Sequence, residues 1–251
     1  MGRAAHSRRE FLVTTASAVV GCVAMRQVTT EERRLNRLRA AELHYHVLPP
    51  VALPFDGRRP APPASLPVEL WNPRETIVAM DAIGVGFTVL SMPTSSFRFS
   101  ALGYRAHVRA CNEWAAGVAR EYRGYLGFFA SIPLPDVNAA VQEAQYACDV
   151  LGADGAFLAT SYGVRWIGDP AFEPLLEALD RRGALVSVHP PGTSCCHALS
   201  RYLHYGEEVL SETEGALASL RANARLSRFT QIRYLFAHHP TTRGPLSSTQ
   251  L

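Results

Sequence analysis

The sequence contains no lysine, and all 25 of its basic residues are arginine. The chain therefore has no side-chain amine for a Schiff base and no Walker-type lysine for nucleotide phosphates. Its five cysteines include no C-x-x-C pair, which excludes a zinc ribbon. No apolar run reaches the roughly 20 residues that a membrane-spanning helix needs. A hydrophobic fraction of 47% is nevertheless enough for a large core, so the sequence predicts a globular domain.

The positive charge of the chain is confined to its amino-terminal part. Residues 1–40 hold eight arginines against three acidic residues, whereas the remainder holds 17 arginines against 19 acidic residues. The body is therefore mildly acidic although the whole chain carries a formal charge of +3. A nucleic-acid-binding surface needs a basic face, so the charge of the body gives no support for this class of function, and we expect no nucleic-acid partner.

The amino terminus has the layout of an export signal. Arg8 and Arg9 precede a short apolar stretch of small residues over 13–21. This pattern resembles the twin-arginine signal of bacteria and predicts a periplasmic or extracellular protein. The alternative is an ordinary amphipathic leader. We assign residues 1–41 to the signal and a linker, and base no fold prediction on them.

Two ways of processing this signal are open. Residues 19–22, Val-Val-Gly-Cys, resemble a lipoprotein processing box in which Cys22 would carry a lipid anchor. Cleavage after Ala24 is the competing interpretation.

From residue 42 onward, short apolar runs rich in β-formers alternate with amphipathic helical patterns. This alternation predicts an α/β fold with a parallel sheet covered by helices. Residues 49–73 contain many prolines and predict a long loop, a candidate lid. The predicted strands are 43–47, 87–91, 126–131, 156–160, 185–189 and 234–238.

Histidines lie at the ends of three of these strands. His44 and His46 are two residues apart and therefore point to the same side of the first strand. His189 and His238 end two later strands. A lone strand-end histidine is most often structural, but four of them at one edge of a parallel sheet predict a shared site for a metal such as zinc.

These residues resemble the amidohydrolase superfamily, in particular its branch of aminocarboxymuconate-semialdehyde decarboxylases. The opening strand with His44-x-His46-Val47-Leu48-Pro49-Pro50 carries the first likeness. Further matching segments follow in order through residues 42–242: 80–85, 90–94, 127–136, 169–175, 188–190 and 232–238. After His238 this chain continues His-Pro-Thr-Thr, where the family usually has Gly-Gly.

The resemblance implies a TIM-barrel-like (β/α)₈ fold, a small-molecule substrate and one divalent metal, usually zinc. In the family pattern, His44, His46 and His189 match the metal-binding histidines, and His238 matches the general acid/base. A fourth ligand, an aspartate, ends the family's eighth strand. Arg165 and Trp166, after the fourth predicted strand, are candidates for holding an acidic ring, with a solvated loop arginine as the alternative.

The length of the chain leaves room for only about six βα units. Thirteen residues follow His238, and residues 241–251 show no strand pattern. We therefore expect an incomplete barrel over residues 42–242, with a tail at 243–251 and without the aspartate ligand.

Three interpretations of the function follow from these residues. The first is a metal-dependent hydrolase or non-oxidative decarboxylase acting on a small organic acid, amide or lactone. The second is an inactive remnant of such an enzyme, and the third is a lipid-anchored binding protein that uses the same cleft. Whether the chain forms a homodimer is left open.

Overall fold

A computed structural model describes residues 40–47, 49–50, 71–93, 101–191 and 205–237. Six parallel strands form one sheet in the order β1-β2-β3-β4-β7-β8, and β5 pairs with β6 in a small hairpin. The strands are β1 (Ala41–His46), β2 (Phe87–Ser91), β3 (Leu126–Ser131), β4 (Gly155–Ala159), β5 (Ser161–Tyr162), β6 (Arg165–Trp166), β7 (Leu185–His189) and β8 (Arg233–Phe236).

Helices connect consecutive strands of this sheet. The described helices are α1 (Pro73–Ile83), α2 (Ala101–Glu121), α3 (Val137–Tyr146), α4 (Glu173–Asp180), α5 (Tyr205–Ala222) and α6 (Arg225–Arg228). A π-helical turn, Ala147–Leu151, continues α3, and a 3₁₀ turn, Pro170–Phe172, precedes α4. None of the helices in the described ranges is both long enough and apolar enough to cross a bilayer.

The architecture confirms the predicted incomplete (β/α)₈ barrel. The bounds of β2, β3 and β7 are those predicted, because each is a short, mainly apolar run. The first strand is displaced toward the amino terminus, at Ala41–His46 rather than 43–47, and β4 begins and ends one residue early. The last strand is Arg233–Phe236 rather than 234–238, because it begins one residue early and Ala237 is already in a turn.

The prediction of a loop through residue 73 is wrong at its carboxyl end. Pro73 is the first residue of α1, where its fixed φ and missing N–H suit a helix start. The side chain of Asn72 accepts a hydrogen bond from the backbone N–H of Arg74 and caps the helix. Residues 51–70, which make up most of the candidate lid, lie outside the described residues.

The two faces of the sheet carry separate cores. Val89, Phe129, Phe157 and Leu185 pack together on the concave face, in the interior of the partial barrel. The alternate residues of the same strands face outward and pack under the helices. Because side chains alternate along each strand, the concave face can present polar groups at the strand ends without disturbing the outer core.

Two of the sequence cysteines have described surroundings. Cys111 is fully buried in α2, and burial raises the pKa of its thiol to about 12. Cys148 is half-buried, and neither cysteine forms a disulfide bond with a described residue. Cys22, Cys195 and Cys196 lie outside the described residues.

Candidate metal centre

Three imidazoles meet at the carboxyl ends of β1 and β7. Nε2 of His44 lies 3.0 Å from Nε2 of His46 and 3.0 Å from Nε2 of His189. Nε2 of His46 lies 3.1 Å from Nε2 of His189. Nitrogens that each lie about 2 Å from a common ion have separations of this size. The structure thus brings together the three residues that the sequence singled out as ligands.

A serine fixes the orientation of the His46 ring. Oγ of Ser91, at the end of β2, donates to the carbonyl oxygen of Tyr45 at 3.2 Å and lies 2.8 Å from Nδ1 of His46. Because the hydroxyl proton is directed to that carbonyl, the serine oxygen accepts from Nδ1–H of the imidazole. The neutral ring then has its lone pair on Nε2, directed at the cluster.

His189 has the same tautomer for a similar reason. Its Nδ1 lies 2.7 Å from the carbonyl oxygen of Pro190, which can only accept a hydrogen bond. Nδ1 therefore carries the proton, and Nε2 carries the lone pair. A partner of this kind on the second ring nitrogen is usual for a histidine that binds a metal.

The donor set fits a divalent cation. Two imidazoles present lone pairs to each other at 3.1 Å, an arrangement that is repulsive unless a positive charge lies between them. Imidazole nitrogens suit zinc, copper, iron and nickel among the common metals. The residues present can therefore hold an ion through His44, His46 and His189.

A phenyl ring closes the inner side of the cluster. The centroid of Phe157 on β4 lies 5.9 Å from that of His46 and 5.6 Å from that of His189. Phe157 is buried, whereas His46 is exposed. The exposed side of the cluster is therefore the side open to a ligand, and a buried phenyl ring covers the opposite side.

The remaining predicted site residues have different outcomes. His238 lies outside the described residues, although β8 ends two residues before it. Arg165 is exposed on the β5–β6 hairpin. Trp166 packs on α5, where a Cβ added at Gly215 would lie 2.5 Å from its ring. The ring of Trp166 thus lies against the helix, and the substrate roles of Arg165 and Trp166 both stay predictions.

Sequence reasoning missed Ser91 and Phe157. Ser91 was recoverable, because it is a polar residue closing a predicted apolar strand, as the histidines are. Phe157 carried no signal, since a phenylalanine inside a buried strand looks like ordinary core.

Curated relatives of this chain are fungal decarboxylases. Decarboxylase yanB of Aspergillus niger is 35% identical over 160 residues, which cover 61% of this chain and 44% of the relative. The 6-methylsalicylic acid decarboxylase of Penicillium expansum is 34% identical over 154 residues, 59% of this chain and 48% of that protein. The matched segment spans about half the length of these relatives.

Solved structures share the fold at low identity. The 5-carboxyvanillate decarboxylase LigW from Sphingomonas paucimobilis has a TM-score of 0.64 at 20% identity, covering 79% of this chain and 67% of that chain. A dihydroxybenzoic acid decarboxylase from Polaromonas sp. JS666, with bound manganese and 2-nitroresorcinol, has a TM-score of 0.63 at 16% identity. The alignment covers 78% of this chain and 64% of that one.

A family model covers most of the sequence. The model Amidohydro_2, whose description is Amidohydrolase, matches residues 37–247. This span includes the whole six-stranded sheet and all three clustered histidines. The chain belongs to this amidohydrolase family.

Proposed function

We propose that this chain forms the metal-binding part of a non-oxidative decarboxylase that acts on hydroxylated aromatic carboxylic acids. The observation that carries the proposal is the convergence of three imidazole Nε2 atoms, each within 3.1 Å of the other two. The relatives named above are decarboxylases, which supports decarboxylation over hydrolysis.

Different residues of the chain would perform different roles in such a site. His44, His46 and His189 would hold the cation, and the partners of Nδ1 keep two of these rings in the ligating tautomer. A divalent ion held there supplies positive charge that orients a carboxylate and a neighbouring phenol oxygen. Phe157 would present an apolar surface to the inner side of the site, which leaves the exposed side for the polar contacts of a substrate.

Decarboxylation also needs a proton. When the bond between the ring carbon and the carboxyl carbon breaks, its electron pair stays on the ring carbon and carbon dioxide leaves. That carbon must then take up a proton, and His238 is our proposed donor. β8 ends at Phe236, at the carboxyl edge of the sheet that also carries the imidazole cluster, and His238 follows two residues later in the sequence.

The metal that we propose for the chain is zinc, because zinc is well suited to a site with three imidazole ligands. Manganese is the ion in the Polaromonas structure and is the competing choice. Elemental analysis of the purified 251-residue chain, followed by reconstitution with each ion after chelation, decides between them. Since an ion that binds only the native state raises the melting temperature, thermal melting with each ion measures its preference.

The reaction is tested with a panel of acids. The full chain, loaded with zinc or manganese, is incubated with 6-methylsalicylate, 2,6-dihydroxybenzoate and 5-carboxyvanillate, and the phenolic products are measured by chromatography. We expect product from at least one acid, and none from the His46→Ala variant. His107→Gln is the matched control, because His107 is buried in α2 outside the cluster.

Two results contradict the proposal separately. A chain that binds metal and melts cooperatively but converts none of the acids is a binding protein and not this decarboxylase. A chain that neither binds metal nor melts cooperatively corresponds to the inactive remnant.

A further inference from the structure

A hydrogen bond between side chains connects helix α5 to the carboxyl end of β4, next to the imidazole cluster. Thr160 follows β4, is completely buried, and donates from Oγ1 to Oε2 of Glu212 at 2.8 Å. The backbone N–H of the same threonine donates to the carbonyl oxygen of His189 at 2.9 Å. Glu212 is therefore two hydrogen bonds away from the main chain of a predicted metal ligand.

The next residue of α5 holds the strand on the other side of β7. Oγ1 of Thr213 donates to the carbonyl oxygen of Ala237 at 3.1 Å. The N–H of Ala237 in turn donates to the carbonyl oxygen of Val188 at 2.9 Å. The strand that presents His189 thus lies between β4 and β8, and adjacent residues of one helix hold the ends of both neighbours.

The position of α5 along the sheet is itself fixed. The backbone N–H of Gly168 donates to Oγ of Ser219 at 2.8 Å, and the ring of Trp166 lies against Gly215, where a side chain would clash. The N–H of Ile167 donates to the carbonyl oxygen of Thr160 at 3.0 Å, which joins the same segment to the end of β4. These contacts fix the position of the Glu212 carboxylate along the strand direction, relative to Thr160.

We infer that Glu212 is a positioning residue for the metal centre, acting through Thr160 on the main chain of His189. The inference rests on the metal site of the proposed function and concerns a residue that does not itself contact the imidazole cluster in the described structure. Residues in the shell around metal ligands hold the ligating atom in place, and their loss weakens metal affinity by about 10- to 100-fold. Glu212 would help to fix the position of His189 Nε2, which must stay about 2 Å from the ion.

The test compares metal dissociation constants of the full chain, measured by calorimetry with zinc and with manganese after chelation. We expect Glu212→Ala and Thr160→Val each to raise the dissociation constant by about 10-fold or more. Because both remove the same hydrogen bond, the double variant should be no weaker than the more affected single variant. Thr160→Ser keeps a hydroxyl donor and should stay close to wild type.

Two further variants separate geometry from charge. Glu212→Gln removes the negative charge but keeps an oxygen acceptor, so affinity should be largely restored relative to the alanine variant. Glu214→Ala removes one acidic charge from an exposed position on the same helix and should leave affinity unchanged. A Glu212→Gln variant as weak as Glu212→Ala would show that charge acts and not the hydrogen bond, and would overturn the inference.

Thermal melting of the metal-free variants completes the experiment. Wild-type affinity in Glu212→Ala, with a lowered melting temperature only, would mean a purely structural contact and would overturn the inference while leaving the metal site intact. Failure of the wild-type chain to bind either ion would overturn the metal site itself and this inference with it.

Discussion

The hydroxyl oxygen of Ser91 lies 2.8 Å from Nδ1 of His46 and joins β2 to the imidazole cluster. The hydrogen bond sets which nitrogen of the imidazole is protonated, and it does so from the strand next to the one that carries the ligand. The orientation of His46 is therefore a property of the sheet and not of β1 alone.

Replacing Ser91 by alanine should weaken metal binding. The change removes the acceptor for Nδ1–H, frees the ring to rotate, and should raise the metal dissociation constant by about 10-fold. Ser131→Ala is the matched control, because Ser131 ends β3, is equally buried, and directs its hydroxyl to the carbonyl oxygen of Met92. Equal losses of affinity in the two variants, measured by calorimetry, would refute a specific role for Ser91.

The packing of β4 against β7 should tolerate no side chain at Gly155. A Cβ there would lie 2.1 Å from the carbonyl oxygen of Leu185, a backbone atom that cannot move aside. We expect Gly155→Ala to reduce the free energy of unfolding by about 2 kcal/mol or more, the scale of overpacking in a buried sheet. Denaturant titration measures the change.

Gly117 supplies the opposite case on α2. No described atom lies within 4 Å of a Cβ added there, so Gly117→Ala should stabilise the protein by about 0.5–1 kcal/mol through helix propensity. Equal destabilisation of Gly155→Ala and Gly117→Ala would show that the close approach of β4 to β7 does not cause the loss of stability in Gly155→Ala.

His107 should make the stability of the chain sensitive to mild acid. Burial lowers the pKa of this imidazole below its usual value, so the folded state holds it neutral while the unfolded chain binds a proton below about pH 6.5. Above about pH 6.5, His107 is neutral in both states and does not reduce the free energy of unfolding. As the pH falls from about 6.5 toward the lower pKa of the folded state, the free energy of unfolding decreases.

The measurement is the slope of melting temperature against pH, taken with a chelator so that metal release does not contribute. His107→Gln should flatten the slope between about pH 7 and about pH 5.5 relative to wild type. An unchanged slope would assign the acid sensitivity to other groups.

The amino-terminal arginine pair should direct export. Changing Arg8 and Arg9 together to lysine should retain the chain in the cytoplasm of a bacterial host that has a twin-arginine pathway, because the pathway reads this pair. Arg33 and Arg34, a second pair in the same basic segment, are changed to lysine as the control and should leave export intact. Cell fractionation and blotting give the result, and export of the Arg8/Arg9 variant would refute the proposed signal.

The sequence predicted the sheet and the histidine ligands for local reasons. Strands such as β3 and β7 are mainly apolar runs, and strand periodicity places His44 and His46 on one side. The start of α1 was missed because proline-rich composition was read as loop, although Asn72-Pro73 is a helix-start signal.

Contacts between distant residues were beyond the reach of such reasoning. Glu212 and Thr160 are 52 residues apart, and no pattern along the chain links an acid on a helix to a threonine after a strand. Contacts of Trp166 and Gly168 with α5 help to place this acid and this threonine side by side. Likewise, the sequence could not show that Phe157 belongs to the site, because its role there depends on contacts with His46 and His189, which lie on other strands.

The cluster joins His46 to His189 across 143 residues of sequence. A chain emerging from the ribosome therefore has no complete ion-binding triad until most of the described sheet has been synthesised, and contacts of such separation form late and slowly. If the chain takes up the ion that we propose, retention of that ion would require β1 and β7 to lie in the same sheet, because the three ligating nitrogens come from these two strands.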